Sequence, residues 1–121
     1  MLIVRDAQMN AFVARFLEEF ENRRVREIEE RFPSRYAALG ETATRALIRA
    51  AIQKSRQLGI HGEEDVENLI DLTVFYGESF DQNEEFAFEA EPLRDEELPA
   101  DGRVSLSMAR FGRKPGFREQ E

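Results

Sequence analysis

The corner formed by residues 58–66 constrains the fold more than any other stretch of the chain. Leu58, Gly59 and Ile60 are typical of a helix C-terminus, with a glycine at the left-handed position between two apolar residues. Gly62 then predicts the N-cap of another helix, whose first turn holds three acidic residues where the helix dipole favours negative charge. Because the link is short, we expect the two helices to fold back on each other as a hairpin.

The two helices of this hairpin are predicted over residues 43–58 and 63–76. Gly40 or Thr42 starts the first helix of the hairpin. Residues 34–39, before it, form a connector with about one helical turn. Gly77 is expected to end the second helix of the hairpin, because a glycine can adopt the left-handed conformation that follows a helix C-terminus.

A long helix precedes the hairpin. Asp6 is a suitable N-cap, and no Gly or Pro interrupts residues 7–32, so we predict one continuous helix that ends before Pro33. Apolar residues recur at the three-four spacing of one helical face. They are Met9, Phe12, Val13, Phe16, Leu17 and Phe20.

Periodicity is lost over residues 78–101, which we predict to be an irregular acidic segment pinned to the core by its phenylalanines. Asp101 is then expected to cap a short final helix containing Val104, Met108 and Phe111. The predicted fold is all-α, with a long N-terminal helix packed on the hairpin. Residues 1–111 form a single domain and residues 112–121 a disordered tail.

Charge is distributed unevenly along the 121 residues. The net charge is −8, but residues 1–60 and 102–121 each carry +3 while residues 61–101 carry −14. An acidic block of this size repels polyanions, so nucleic acid is not an expected partner. No stretch reaches the roughly 20 apolar residues of a membrane span, and with no cysteine in the chain a cytoplasmic location is expected.

The inventory of reactive side chains argues against an enzyme. His61 is the only histidine, which excludes sites with several histidines, and the absence of cysteine excludes histidine–cysteine centres. It is either a general base oriented by a neighbouring carboxylate or a solvent-facing residue of the corner. Asp65 and Asp71 are the carboxylates that an enzyme hypothesis would combine with it.

Asp71 stands between two apolar residues on the third helix, so partial burial is expected. A buried carboxylate needs a cationic partner, and we predict a structural ion pair with Arg45 or Arg49 of the facing helix.

Residues 81–85 resemble a calcium loop in composition only. They lack the alternating oxygen ligands, the central glycine and the glutamate at position twelve. We therefore expect no metal, and no motif in the chain calls for a cofactor.

The acidic segment is the predicted binding site. Its phenylalanines could anchor an interface whose acidic rim steers a basic protein partner, although Phe86 and Phe88 could equally fill the core. The candidate protein-binding residues are Phe80, Asp81, Glu84, Glu85, Phe86, Phe88 and Glu89.

Several short motifs together resemble small helical proteins encoded beside type VI secretion effector genes in Gram-negative bacteria. The resemblance spans roughly residues 3–81. Its motifs are Ile3-Val4-Arg5-Asp6-Ala7-Gln8-Met9, Arg31-Phe32-Pro33, the helix from Leu47 to Ile52, Gly59-Ile60, Glu64-Asp65-Val66, Ile70-Asp71-Leu72 and Gly77-x-x-Phe80-Asp81.

The resemblance implies a cytoplasmic accessory of secreted toxins. Such a protein is an adaptor or chaperone that holds an effector or a component of the secretion spike, or an immunity protein that neutralises a toxin. The chain departs from the pattern at residues 84–91 and in its basic tail. A carboxylate-using enzyme is the more distant alternative.

Overall fold

The computed structural model describes residues 2–114 and 116–117, with the backbone alone over residues 2–8. Five α-helices follow one another, and no strand occurs within these residues. They are α1 (Leu2–Arg31), α2 (Pro33–Gln57), α3 (Glu63–Tyr76), α4 (Ala87–Ala90) and α5 (Ala100–Phe111). Short 3₁₀ turns at Phe80–Gln82, Glu84–Phe86 and Glu91–Arg94 surround α4. The predicted all-α architecture is confirmed.

The helical corner matches its prediction closely. Gly59 has φ +74°, its N–H donates to the Arg56 carbonyl at 3.2 Å, and the Ile60 N–H donates to the Ser55 carbonyl at 2.8 Å. These two bonds are those of a Schellman motif, which satisfies the last carbonyls of α2. Gly62 is the N-cap of α3, which spans the predicted 63–76.

Three predicted boundaries were wrong. The first helix begins at Leu2, so Asp6 lies inside it and does not cap it. The connector 34–39 is helical, because Pro33 at the first position favours a helix start. A kink at Gly40, where φ is +81°, separates these residues from the rest of α2, so the predicted start at Gly40 coincides with the kink. The last helix begins at Ala100 with Pro99 at its N-cap, so Asp101 lies in its first turn.

Among the side chains of α1 that the structure describes, those from Phe20 onward pack on the hairpin. Phe20, Val25, Ile28 and Phe32 are buried, and each such side chain contributes roughly 1.5–3 kcal/mol of burial free energy. Residues 9–19 make no comparable contribution, since Leu17 is the only one of them that is even partly buried. The hairpin therefore anchors α1 from Phe20 onward, and we call residues 9–19, which project from it, the arm.

The C-terminal side of the core is aromatic. Tyr76 contacts Phe86, Phe111 and Phe117 with ring centroids 4.9, 4.8 and 5.6 Å apart. Burial raises the pKa of Tyr76 to about 12. Phe117 is 4% exposed, so packed residues extend beyond 111; the rest of the predicted tail, Pro115 and residues 118–121, lies outside the described residues.

Candidate protein-binding surface

The acidic segment is held firmly against the helices. Phe80 is 1% exposed and Phe86 9% exposed, and the two rings lie 5.6 and 5.8 Å from that of Phe111. Leu93 is fully buried. The phenylalanines thus pin the segment, and both Phe80 and Phe86 of the predicted binding set belong to the core.

Asp81 is also occupied within the fold. Lys54 of α2 donates to its carboxylate and to the Glu78 carbonyl at 2.6 Å, while Arg94 lies 3.6 Å from its second oxygen. Arg94 additionally donates to the Asp81 carbonyl at 2.7 Å. Asp81 therefore joins the segment to α2.

The other four predicted residues differ in how far they are exposed. Glu84 and Glu85 are exposed and form no ion pair with a described residue. Phe88 is 57% exposed, with the Arg110 guanidinium 4.1 Å above its ring. Glu89 is partly buried and lies 3.8 Å from Lys114. The exposed candidates are thus Glu84, Glu85 and Phe88.

A shallow acidic groove of about 340 Å³ runs beside these residues. It is formed where α4 meets the neighbouring 3₁₀ turns. Its lining residues are Asp81, Gln82, Asn83, Glu84, Ala87, Ala90, Glu91 and Arg94. Of its three carboxylates, Asp81 is paired with Lys54 and Arg94, and Glu91 with Arg110. Glu84 is therefore the groove carboxylate that can receive a cationic side chain.

The predicted partners of Asp71 were wrong. Asp71 is buried as expected, but it binds α1: Arg24 donates to Oδ1 at 3.0 Å and Arg31 donates to Oδ2. Burial raises the pKa of Asp71, and the two arginines oppose that effect.

Arg45 and Arg49, the predicted partners, bind Glu21 of α1 instead. Arg45 donates to Oε2 at 2.7 Å and Arg49 donates to Oε1 at 2.7 Å. The hydrogen bond from Arg49 lowers the pKa of Glu21, with Arg45 acting in the same direction.

His61 and the two aspartates are not gathered into a catalytic arrangement. His61 is exposed at the corner, whereas Asp71 is enclosed by two arginines. Asp65 is partly buried, and burial raises its pKa, with further contributions from Asp101 and Glu64. Within the described residues no cluster of three or more potential metal ligands occurs.

A second surface was not predicted. Four large apolar side chains on the arm are exposed, and we call them the apolar stripe: Met9 (57%), Phe12 (66%), Val13 (43%) and Phe16 (54%). Helix length is the signal that could have revealed it. At about 1.5 Å per residue, the 30 residues of α1 reach roughly twice as far as the 14 of α3.

Comparison of the chain with protein-family models, curated proteins and solved structures finds no match.

Within the described part of the chain, none of the helices combines the length and the apolar character that crossing a membrane requires.

Proposed function

We propose that the chain is a protein-binding accessory and not an enzyme, and that it holds a basic surface of its partner. The observation that carries this proposal is the rigid presentation of Glu84 and Glu85 beside exposed Phe88 and the acidic groove. Carboxylates on a pinned segment lose little conformational freedom on binding, and they steer a cationic partner into contact.

The resemblance to proteins encoded beside type VI secretion effector genes supports a more specific role. We propose that the partner is a secreted effector or a spike component and that the chain acts in the cytoplasm as its adaptor or chaperone. An immunity protein that neutralises a cognate toxin is the alternative, since a toxin with a basic active-site surface would dock on the same groove. Inhibition of the captured partner's activity distinguishes the two roles.

The test is affinity capture with a charge-reversed variant. Tagged wild-type protein and the Glu84→Lys/Glu85→Lys variant are incubated with lysate of the native host, and retained proteins are identified at low salt and at about 0.5 M salt. We expect one basic protein to be retained by the wild type at low salt and released at high salt, where exposed charges are screened within a few ångströms.

The matched control is Glu29→Lys/Glu30→Lys on α1. These two glutamates are adjacent and exposed, and they form no ion pair with a described residue, so the control changes the net charge by the same amount. The control should retain the partner while the acidic-segment variant loses it. Equal retention by both variants, or no retained protein with the wild type, would contradict the proposal.

A further inference from the structure

The apolar stripe lies on the part of α1, residues 9–19, whose side chains are not covered by the hairpin. Its members recur at three- and four-residue intervals on one side of α1, which is the pattern of a helix–helix seam. An isolated helix shorter than about 12–15 residues is marginal in water, and in proteins most helical stability comes from packing of the apolar face. The arm therefore needs an occupant for its stripe.

A groove opens at the base of the arm, on the same apolar surface. This basal groove holds about 270 Å³, and Phe16 belongs to both the stripe and the groove. Its lining is Phe16, Leu17, Phe20, Ile52, Ser55, Arg56, Ile60, His61, Glu63 and Val66. The molecule thus carries protruding rings on α1 and, next to them, a recess between α1 and the hairpin.

The positions of the rings and the recess suit a two-fold axis. If two α1 helices run antiparallel with the axis between residues 14 and 15, Met9 of each copy faces Phe20 of the other, and Val13 faces Phe16. The Met9–Phe12 end of each arm then lies over the other copy's basal groove. Both contacts form twice in one closed interface, as an isologous dimer requires.

Charge also favours a second copy over other occupants. Residues 9–19 contain Arg15, Glu18 and Glu19, a balance of −1, so two strongly acidic molecules can approach there without large repulsion. The same residues lack the basic polar face with which amphipathic helices bind anionic membranes.

The available area is of the right order. Taking about 200 Å² for a free ring, Phe12 and Phe16 offer roughly 240 Å² per copy. The four rings of the two copies thus supply roughly 480 Å², about half of the roughly 1,000 Å² that a specific interface buries in total. Met9, Val13, Leu17 and the groove lining are available for the remainder.

We propose that the arm is a dimerisation element, in which the apolar stripes of two copies pair antiparallel and each arm end occupies the other copy's basal groove. This interface uses none of the acidic-surface residues and does not depend on the proposed function. It is tested on the purified protein alone.

The first experiment is sedimentation equilibrium over about 1–100 μM protein. We expect the wild type to reach roughly twice its monomer mass of 14.0 kDa. Phe12→Glu should raise the dimer Kd by about 30-fold or more, the loss typical of a hot-spot residue. Phe12 is 66% exposed in the monomer, so circular dichroism and melting of the dilute variant should stay unchanged.

Leu106→Glu is the matched control. Leu106 is an exposed apolar residue of α5 outside both surfaces, so its charged variant should dimerise like the wild type. A monomeric wild type at 100 μM, or a dimer that Phe12→Glu leaves intact, would overturn the proposal. A monomeric protein that sediments with phosphatidylglycerol vesicles would also overturn the proposal, because the stripe would then bind a membrane surface.

A distance measurement tests the orientation of the two helices. The chain has no cysteine, so Glu30→Cys carries a single spin label at an exposed site of α1. The antiparallel arrangement places the two labelled residues about 46 Å apart along the helix axis. A parallel pair would bring them within about 20 Å, and that result would refute the proposed geometry.

Discussion

Asp71 links two helices through charges that have almost no access to water. Its carboxylate and the Arg24 guanidinium are 1% and 3% exposed as residues, and Arg31 closes the pair from the solvent side. Such a pair contributes little net stability compared with apolar packing. Removing Asp71 would leave the Arg24 guanidinium with Glu27 and Glu67, whose side chains are more exposed.

Replacing Asp71 with Asn should therefore destabilise the fold by roughly 1–3 kcal/mol, because the buried Arg24 guanidinium loses its buried partner and keeps only the more exposed Glu27 and Glu67 as counter-charges. Urea unfolding at pH 7 measures the change. Asp65→Asn is the control, since Asp65 is only partly buried and forms no ion pair with a described residue; its effect should stay within about 0.5 kcal/mol. A loss below about 1 kcal/mol in the Asp71 variant would refute this account.

Glu21 should make stability depend on acid pH. Its folded pKa lies below the ordinary 4.5, so its contribution is present above about pH 4.5 and is lost as the pH falls through the folded pKa. Glu21→Gln should then destabilise the protein more at pH 7 than at pH 3, as measured by urea unfolding. Exposed Glu30→Gln should show no such difference, and an equal effect of Glu21→Gln at both pH values would contradict the prediction.

The partners of Asp71 and Glu21 show what residue-level inference misses. Burial of Asp71 followed from its apolar neighbours on α3, but its partners depend on how α1 lies across the hairpin. Arg24 and Arg31 are seven residues apart on α1, two turns of one face, and this spacing was the available signal. Tertiary register decided that they reach Asp71 while Arg45 and Arg49 reach Glu21.

At the scale of elements, the corner after α2 depends on backbone geometry. Gly59→Ala should cost about 1–2 kcal/mol, because an L-residue is strained in the left-handed region even though no atom lies within 4 Å of the added Cβ. Thermal melting measures the loss, and Gly59→Asn should lose less. Gly102→Ala is the control, since Gly102 lies inside α5 without a positive φ and its added Cβ would make only ordinary contacts with Pro99. A Gly59→Ala variant as stable as this control would contradict the argument.

Helices were predictable where their ends are encoded locally. The corner, α3 and the stop before Pro33 depend on glycine, proline and acidic first turns that lie next to one another in the chain. The acidic segment was predicted as irregular, and its 3₁₀ turns depend on Phe80, Phe86 and Leu93 finding the core. These long-range contacts leave no periodic signal in the sequence.

At the scale of the whole molecule, an apolar stripe in a sequence does not reveal whether it faces the chain's own core or a different molecule. Residues 9–20 follow one helical pattern, yet Phe20 is buried while Phe12 and Phe16 are exposed. The relative lengths of the packed helices decide which apolar residues of α1 the chain's own core can cover and which stay exposed.

The uninterrupted course of α1 has a consequence for multivalent binding. No glycine or proline breaks Leu2–Arg31, so the helix is a rigid strut of about 45 Å. In a dimer joined through the arms, this strut fixes the separation of the two acidic surfaces. A partner with two basic sites at the matching spacing would gain avidity, whereas one with mismatched sites would bind through a single surface. The helix would thus act as a molecular ruler that selects partners by the distance between their binding sites.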